Sequence, residues 1–128
     1  MASISIGLSG EKTTTVAEEQ TARHLGSGGI DVFATPAMIA LMEGAAVNAL
    51  DHLLADKQAS VGIEIAIKHL AATPLGHTVR ARAEVTAVDD RQIHFKVEAW
   101  DEAEKIGEGT HTRFIIDVER FKGRLEKK

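Results

Sequence analysis

The segment PAMIALMEGAAVNALDHLLA, residues 36–55, has the periodicity of an α-helix that is apolar on more than one side. At about 100° per residue, one stripe holds Pro36, Ile39, Ala40, Glu43, Val47, Leu50 and Leu54. The opposite face, with Met38, Leu41 and Ala45, is also largely apolar. A helix of this kind is usually surrounded by protein, so the rest of the chain is expected to fold around it.

Beyond Lys57 the periodicity changes from helical to two-residue alternation, in four successive segments. Their predicted inward faces are Val61, Ile63, Ile65, Ile67 and His69; Val79, Ala81, Ala83, Val85 and Ala87; Ile93, Phe95, Val97 and Ala99; and Thr110, Thr112, Phe114, Ile116 and Val118. Short turns between them predict an antiparallel sheet. With a further strand predicted at residues 12–17, the pattern indicates an α+β fold, in which about five strands curl round one long central helix.

Size and composition limit the class of protein. We expect residues 1–128 to form one domain, because 128 residues suffice for one core but not for two ordinary ones. A net charge of −4 and the lack of a basic block with aromatic residues argue against nucleic-acid binding. The absence of cysteine excludes a disulfide scaffold and a thiolate nucleophile. No secretory signal is visible, and the apolar helix carries charged residues that disfavour a membrane span, so the cytoplasm is the default expectation.

Glu43 is a carboxylate at the centre of the apolar stripe, where a packed core normally has Leu or Ile. Burying an unpaired carboxylate is costly, so Glu43 needs a partner. His69 continues the apolar face of its predicted strand, and both side chains are therefore predicted to point into the helix–sheet interface. A carboxylate and an imidazole in one desolvated site are the components of a general acid–base pair.

Thr35 directly precedes Pro36, a combination typical of a helix start with a threonine N-cap. Backbone N–H groups at such a helix entrance can polarise a carbonyl or bind an anion. Structural explanations also account for each residue: Thr35 as an N-cap, His69 as a satisfied strand-end residue, and Glu43 as an ion-pair member or dimer contact. The residues alone leave both interpretations open.

The remaining histidines indicate no metal site. His94 and His111 fall on predicted polar strand faces, and no pair has the helical i, i+4 spacing of a zinc site, so we expect no metal. The glycine-rich residues 26–29 lack a phosphate-binding pattern and are predicted to form a mobile lid or connector. The C-terminal ERFKGRLEKK is predicted to be a solvated end whose lysines can attract an anionic ligand.

Three strings, VFATPAMIALMEGAA, GIEIAIKHLAATPLGHTV and IGEGTHTRFIID, resemble the fluoroacetyl-CoA-thioesterase-like group of hotdog-fold proteins. The resemblance runs from about residue 7 to residue 118. It implies a hotdog fold, in which an antiparallel sheet wraps a long central helix, and a homodimer with acyl-CoA sites at the subunit interface. Whether dimers pair further into tetramers stays open.

By this resemblance Thr35, Glu43 and His69 are the catalytic residues, while Gly62 and Arg113 contact the substrate. The alternative is a purely structural role, in which Gly62 forms a strand bulge and Arg113 is an exposed strand residue. The resemblance implies no cofactor, because CoA is part of the substrate. One difference concerns specificity: the fluoroacetyl-specific member has phenylalanines in the loop before the helix, whereas residues 26–30 here read GSGGI.

The sequence therefore predicts hydrolysis of a small or medium acyl-CoA thioester. Glu43 would activate water as a general base or attack the thioester as a nucleophile, and the residues do not decide between the two. One alternative is a non-catalytic acyl-CoA or small-ligand binding protein. Another is a hotdog hydratase acting on enoyl thioesters, although the Asp/His pair on which such enzymes typically rely is not found in this sequence.

Overall fold

The computed structural model describes residues 3–128, which form five strands and three α-helices. The strands are β1 (Ser9–Thr15), β2 (Gln58–His69), β3 (Thr78–Asp89), β4 (Gln92–Trp100) and β5 (Lys105–Asp117). The helices are α1 (Ala22–Leu25), α2 (Thr35–Leu50) and α3 (Val118–Glu126), and short 3₁₀ turns cover Glu18–Gln20 and Asp51–Leu53. No helix within the described residues is both long enough and apolar enough to cross a membrane.

The five strands form one antiparallel sheet in the order β1-β3-β4-β5-β2. Helix α2 packs against the sheet, mainly on β1 and β3. The predicted α+β architecture, with about five strands curled round one long helix, is confirmed. Strands β1 and β2 are the two edges of the sheet, so one side of β2 has a free row of backbone hydrogen-bonding groups.

Helix α2 buries mainly the face opposite the predicted stripe, and Leu50 is the one stripe residue within the helix that is fully buried. Its fully buried side chains include Met38, Met42 and Leu50, together with Ala45, Ala46 and Ala49. The small alanines let β1 approach closely, since a Cβ on Gly10 would clash with the helix backbone at Ala45 and Ala49. Glu43 therefore lies on a half-covered side of the helix and not in the core. The prediction was wrong because a helix that is apolar all round has no single inward face that periodicity can identify.

The start of α2 also differs from the prediction. Ala34 occupies the N-cap position, and Thr35 is already the first helical residue, followed by Pro36 in the first turn. The Thr35 hydroxyl makes no capping bond because it contacts His69 instead. The N-cap interpretation of Thr35 is therefore wrong, although the helix begins at the predicted place.

The predicted strand faces are correct for β3 and β4 and wrong for parts of β2 and β5. The predicted inward side chains of β4 and four of the five predicted for β3 are buried. In β2, a register shift between Gly62 and Glu64 changes the alternation, so Gly62 faces α2. In β5, His111 and Arg113 lie opposite Phe95 and Ile93 and share their inward face. The polar character of these two side chains had indicated the opposite, solvated face.

The C-terminal residues, which were predicted to be a solvated end, form helix α3. Most of this helix is exposed, but Phe121 is half-buried beside the end of β5. The loop that contains residues 26–30 is exposed, and its role as a mobile lid or connector stays a prediction.

Candidate active site

Thr35 and His69 form one half of the candidate site. Thr35 is the first residue of α2, and His69 is the last residue of β2, an edge strand. A hydrogen bond of 2.7 Å joins Thr35 Oγ1 to His69 Nδ1. The bond fixes the imidazole plane at the entrance of the helix and occupies one of the two ring nitrogens.

A cavity of about 370 Å³ opens beside this pair. Its lining includes Ser27 of the glycine-rich loop, Phe33, Thr35 and His69. The second ring nitrogen, His69 Nε2, is buried and finds no hydrogen-bond partner within residues 3–128. Burial lowers the pKa of His69 from 6.5, although the Ala71 carbonyl opposes this by favouring the protonated ring. A neutral imidazole with one unused nitrogen is suited to accept or transfer a proton.

Glu43 lies in a second cluster, halfway along α2. Its Oε2 atom is 3.6 Å from Nη1 of Arg113 and 3.8 Å from Nε2 of His111. Both distances exceed hydrogen-bond length, so the carboxylate is held by charge and keeps its oxygens available for water or substrate. The Glu43 side chain is 39% exposed and borders a cavity of about 210 Å³, which Gly62 and His111 also line.

Gly62 makes room for the Glu43 carboxylate. A Cβ at this position would lie 2.5 Å from Glu43 Oε2 and 3.1 Å from His111 Cε1. Its backbone angle is ordinary, so close approach and not conformational freedom requires glycine here. The bulge interpretation of Gly62 is correct as far as backbone register goes, and the bulge turns this residue toward the helix.

Arg113 is the anchor of the second cluster and is only 6% exposed. Its Nε atom donates to Ser60 Oγ at 2.8 Å and its Nη2 atom donates to the Ser60 carbonyl at 2.9 Å. Ser60 in turn donates to Asp51 Oδ1 at 2.6 Å. Burial lowers the pKa of Arg113, while the carboxylates of Asp51 and Glu43 favour its charged form. The guanidinium is thus fixed on one side and presents Nη1 to Glu43.

His111 has a defined tautomer. Arg113 Nη1 lies 3.1 Å from His111 Nε2, and a guanidinium can only donate, so Nε2 accepts. The proton is therefore on Nδ1, which donates to the Glu64 carbonyl at 2.8 Å. Burial lowers the pKa of His111 from 6.5, and the ring stacks on Phe95 with centroids 6.1 Å apart. His111 is therefore a neutral side chain that lines the cavity beside Glu43.

The structure does not bring Glu43 and His69 together within one chain. Glu43 contacts the cluster of Gly62, His111 and Arg113, whereas His69 contacts Thr35. Thr35 and Glu43 are eight positions apart on α2, a rise of about 12 Å at 1.5 Å per residue. The predicted direct contact between carboxylate and imidazole is therefore wrong for a single subunit.

Sequence reasoning placed Arg113 as substrate-contacting or exposed and missed the importance of His111, Ser60 and Asp51. The buried position of Arg113 overturns the exposed-residue alternative. The signal that could have identified His111 is its spacing from Arg113, since two residues apart on a strand lie on the same face. Within residues 3–128, no group of three or more metal-ligating side chains is positioned to hold a metal ion.

The depressed pKa values of His69 and His111 predict a loss of stability in acid. Between the folded and unfolded pKa values the unfolded chain binds more protons, so the free energy of unfolding falls as the pH drops below about 6.5. Urea denaturation of the wild type and of His111→Gln at about pH 7.5 and pH 5.5 measures this effect. We expect the variant to lose less stability over this interval, and an equal loss in both proteins would contradict the prediction.

Comparison with known proteins identifies the class. The fold closely matches crystal structures of thioesterases, including a thioesterase-superfamily protein from Thermus thermophilus with a TM-score of 0.86 and 27% identity, where the match covers 100% of both chains. A crystal structure of the fluoroacetyl-CoA thioesterase FlK matches with a TM-score of 0.93 and 34% identity, covering 99% of this chain and 98% of that one. These matches define a thioesterase-like protein of the hotdog fold, as the resemblance predicted.

The sequence match narrows the class to one family. The family model described as fluoroacetyl-CoA-specific thioesterase, FlK, matches residues 16–119. The fluoroacetyl-CoA thioesterase of Streptantibioticus cattleyicolor is 41% identical over 98 residues, which are 77% of this chain and 70% of the relative. The chain belongs to the FlK family of fluoroacetyl-CoA thioesterases.

Proposed function

We propose that this protein is an acyl-CoA thioesterase, which hydrolyses a small or medium acyl-CoA thioester to the free acid and CoA. Membership of the FlK family supports this reaction class, and the relative with 41% identity is a named fluoroacetyl-CoA thioesterase. The observation that carries the proposal is the position of the Glu43 carboxylate. Its carboxylate is held by the charge of Arg113 at 3.6 Å without a hydrogen bond, and it faces an open cavity that His111 also lines.

The chemistry of a thioester suits these residues. The leaving thiolate has a pKa of about 8.5 by analogy with cysteine, so its departure needs little acid assistance. As a base, Glu43 removes a proton from water while the water oxygen attacks the carbonyl carbon; the C–S bond then breaks, and the proton passes to the sulfur. As a nucleophile, Glu43 attacks the carbonyl carbon, and the C–S bond breaks to release the CoA thiolate and leave an anhydride. Water then hydrolyses the anhydride to the free acid and the Glu43 carboxylate, and the proton released passes to the thiolate. Arg113 keeps the carboxylate in place in either case.

Thr35 and His69 are proposed to bind the thioester near its carbonyl oxygen. Pro36 has no N–H, so the donors of the first turn of α2 are the Thr35 and Ala37 N–H groups, and the helix dipole favours negative charge near Thr35. A carbonyl oxygen placed there would be polarised as its negative charge develops, a contribution of roughly 3–4 kcal/mol per donor in known cases. His69, with its unused Nε2, is placed to hold the substrate or to carry the proton.

The two half-sites meet across a homodimer interface in this proposal. Strand β2 pairs with β5 on one side and has no strand on the other, and its residue Ile63 is 52% exposed. A second copy against this edge would cover Ile63 and bring Glu43 of one subunit toward the Thr35–His69 pair of the other.

The acyl group is proposed to be less restricted than fluoroacetyl. The exposed residues 26–30 carry no phenylalanine, in contrast to the loop of the fluoroacetyl-specific member. Phe33 is nearby but is only 1% exposed and packs in the core, so it does not replace a mobile aromatic lid. The proposed reaction needs no cofactor, because the substrate supplies its own CoA, and a cytoplasmic location stays a prediction.

The test is a panel of acyl-CoA thioesters, fluoroacetyl-CoA included, assayed by release of free thiol. The protein contains no cysteine and gives no background signal in this assay. We expect turnover of small and medium acyl groups without a strong preference for fluoroacetyl-CoA. If no thioester releases thiol while CoA esters raise the melting temperature, the protein is a binding protein and the proposal is wrong.

A further inference from the structure

A basic cavity of about 240 Å³ lies at the end of β5, between α3 and the turn that joins β3 to β4. Its lining includes three arginines and two phenylalanines: Arg91, Arg120, Arg124, Phe114 and Phe121. Asp117 is the single carboxylate of the lining. The cavity therefore combines positive charge with two aromatic rings on a chain whose net charge is −4.

Two of the three guanidinium groups are free to bind an anion. Arg91 lies 3.6 Å from the Asp117 carboxylate and donates to the Ile115 carbonyl at 3.2 Å. Arg120 and Arg124, one turn apart on α3, have no carboxylate within 4 Å in the part of the chain that the structure describes. A guanidinium binds phosphate through two parallel N–H donors, and both of these arginines line the cavity.

The aromatic residues add a second binding element. Phe114 and Phe121 are half-buried, and both border the cavity. Stacking of a nucleic-acid base on an aromatic side chain contributes roughly 1–3 kcal/mol and tolerates any base. A ligand with a planar ring and a phosphate would satisfy both parts of the cavity.

The position of the cavity separates it from the acyl site. Phe114 follows Arg113 on β5, so its side chain points to the opposite face of the sheet from the Glu43 cluster. The volume is below the roughly 300–1,000 Å³ of pockets that enclose a whole drug-sized ligand. A cavity of this size suits one end of a longer molecule.

We propose that this cavity binds a phosphorylated adenine nucleotide, the group that forms one end of coenzyme A. The choice of adenine rests on the proposed thioesterase function, whereas the expectation of a phosphate and a planar ring rests on the cavity alone. Arg120 and Arg124 hold the phosphate, and the phenylalanine rings contact the base. The same chemistry is present in a free nucleotide and in the nucleotide end of the CoA substrate, and kinetics separate these two sources.

Titration calorimetry with adenosine 3',5'-bisphosphate tests the site without any thioester. The variant Arg120→Gln/Arg124→Gln removes two charges from the cavity, and Lys127→Gln/Lys128→Gln removes two charges beyond the end of α3 as a matched control. We expect binding to weaken at least tenfold in the arginine variant and less than about twofold in the lysine variant. Absence of binding to the wild type, or equal weakening in both variants, would overturn the proposal.

Kinetics with an acyl-CoA and the matching acyl-pantetheine then identify the source of the nucleotide. If the cavity holds the end of the substrate, the arginine variant raises KM for acyl-CoA only and leaves kcat and the pantetheine reaction unchanged. If the ligand is a free nucleotide, the variant loses bisphosphate binding with KM unchanged. Both results support the site, and failure of thioester hydrolysis leaves the calorimetric test intact.

Discussion

Replacing Glu43 by glutamine is expected to lower kcat/KM for acyl-CoA hydrolysis by about 10²–10⁴-fold. The amide keeps the shape of the side chain and presents a carbonyl oxygen toward Arg113, but it can neither take a proton from water nor attack the thioester. Glu64→Gln is the matched control, because Glu64 borders the same cavity, is exposed and forms no ion pair in the described residues. We expect this control to stay within about threefold of wild type.

Thiol release measures both variants, and a melting curve establishes that each is folded. The Glu43 side chain is partly exposed, so its replacement should change the melting temperature little. Full turnover by Glu43→Gln would remove Glu43 from the mechanism, whichever of its two roles is considered. A large loss in Glu64→Gln would instead point to a general charge requirement of the cavity.

The variant Gly62→Ala is expected to lower kcat by about 10²-fold while the fold is retained. The new Cβ would lie 2.5 Å from Glu43 Oε2, so the carboxylate must move away from its position beside Arg113. Displacement of a catalytic group by about 1 Å can cost 10²-fold in rate. The closest contact falls on the flexible end of Glu43, and the second, 3.1 Å to His111 Cε1, needs only a small shift of that ring, so the fold can be retained.

Gly123→Ala is the control for the loss of a glycine, because a Cβ there meets nothing within 4 Å. We expect Gly123→Ala to keep wild-type kcat and to be no less stable, since alanine favours a helix over glycine. Kinetics together with urea denaturation separate the two effects. If Gly62→Ala retains wild-type kcat, Glu43 does not depend on the space that glycine leaves.

The sequence predicted the secondary structure and the buried faces correctly where the hydrophobic pattern alone decides them. Helix α2 begins at the predicted place, and the buried faces of β3 and β4 follow strict alternation because one side of the sheet packs on α2. The resemblance also assigned Glu43, Gly62 and Arg113, which the structure places in one cluster.

The errors have local physical causes. The bulge after Gly62 inserts one residue into β2, and the strict alternation used to predict the inward face of that strand does not allow for it, although Gly62 itself suggested a bulge. His111 and Arg113 are polar side chains on an inward face, which Ser60, the Glu64 carbonyl and Glu43 satisfy together. Partners that lie far apart in sequence cannot be inferred from alternation. The wrong inward face of α2 led directly to the wrong contact between Glu43 and His69.

In the proposed homodimer, Glu43 of one subunit and the Thr35–His69 pair of the other form one site. Co-expression of Glu43→Gln and His69→Ala chains with different tags allows the mixed dimer to be purified. One of its two sites then combines an intact Glu43 with an intact His69, while each parent homodimer has none. We expect the mixed dimer to recover about half of the wild-type thioesterase rate. A mixed dimer as inactive as both parents, or a protein that is monomeric and fully active, would contradict the account.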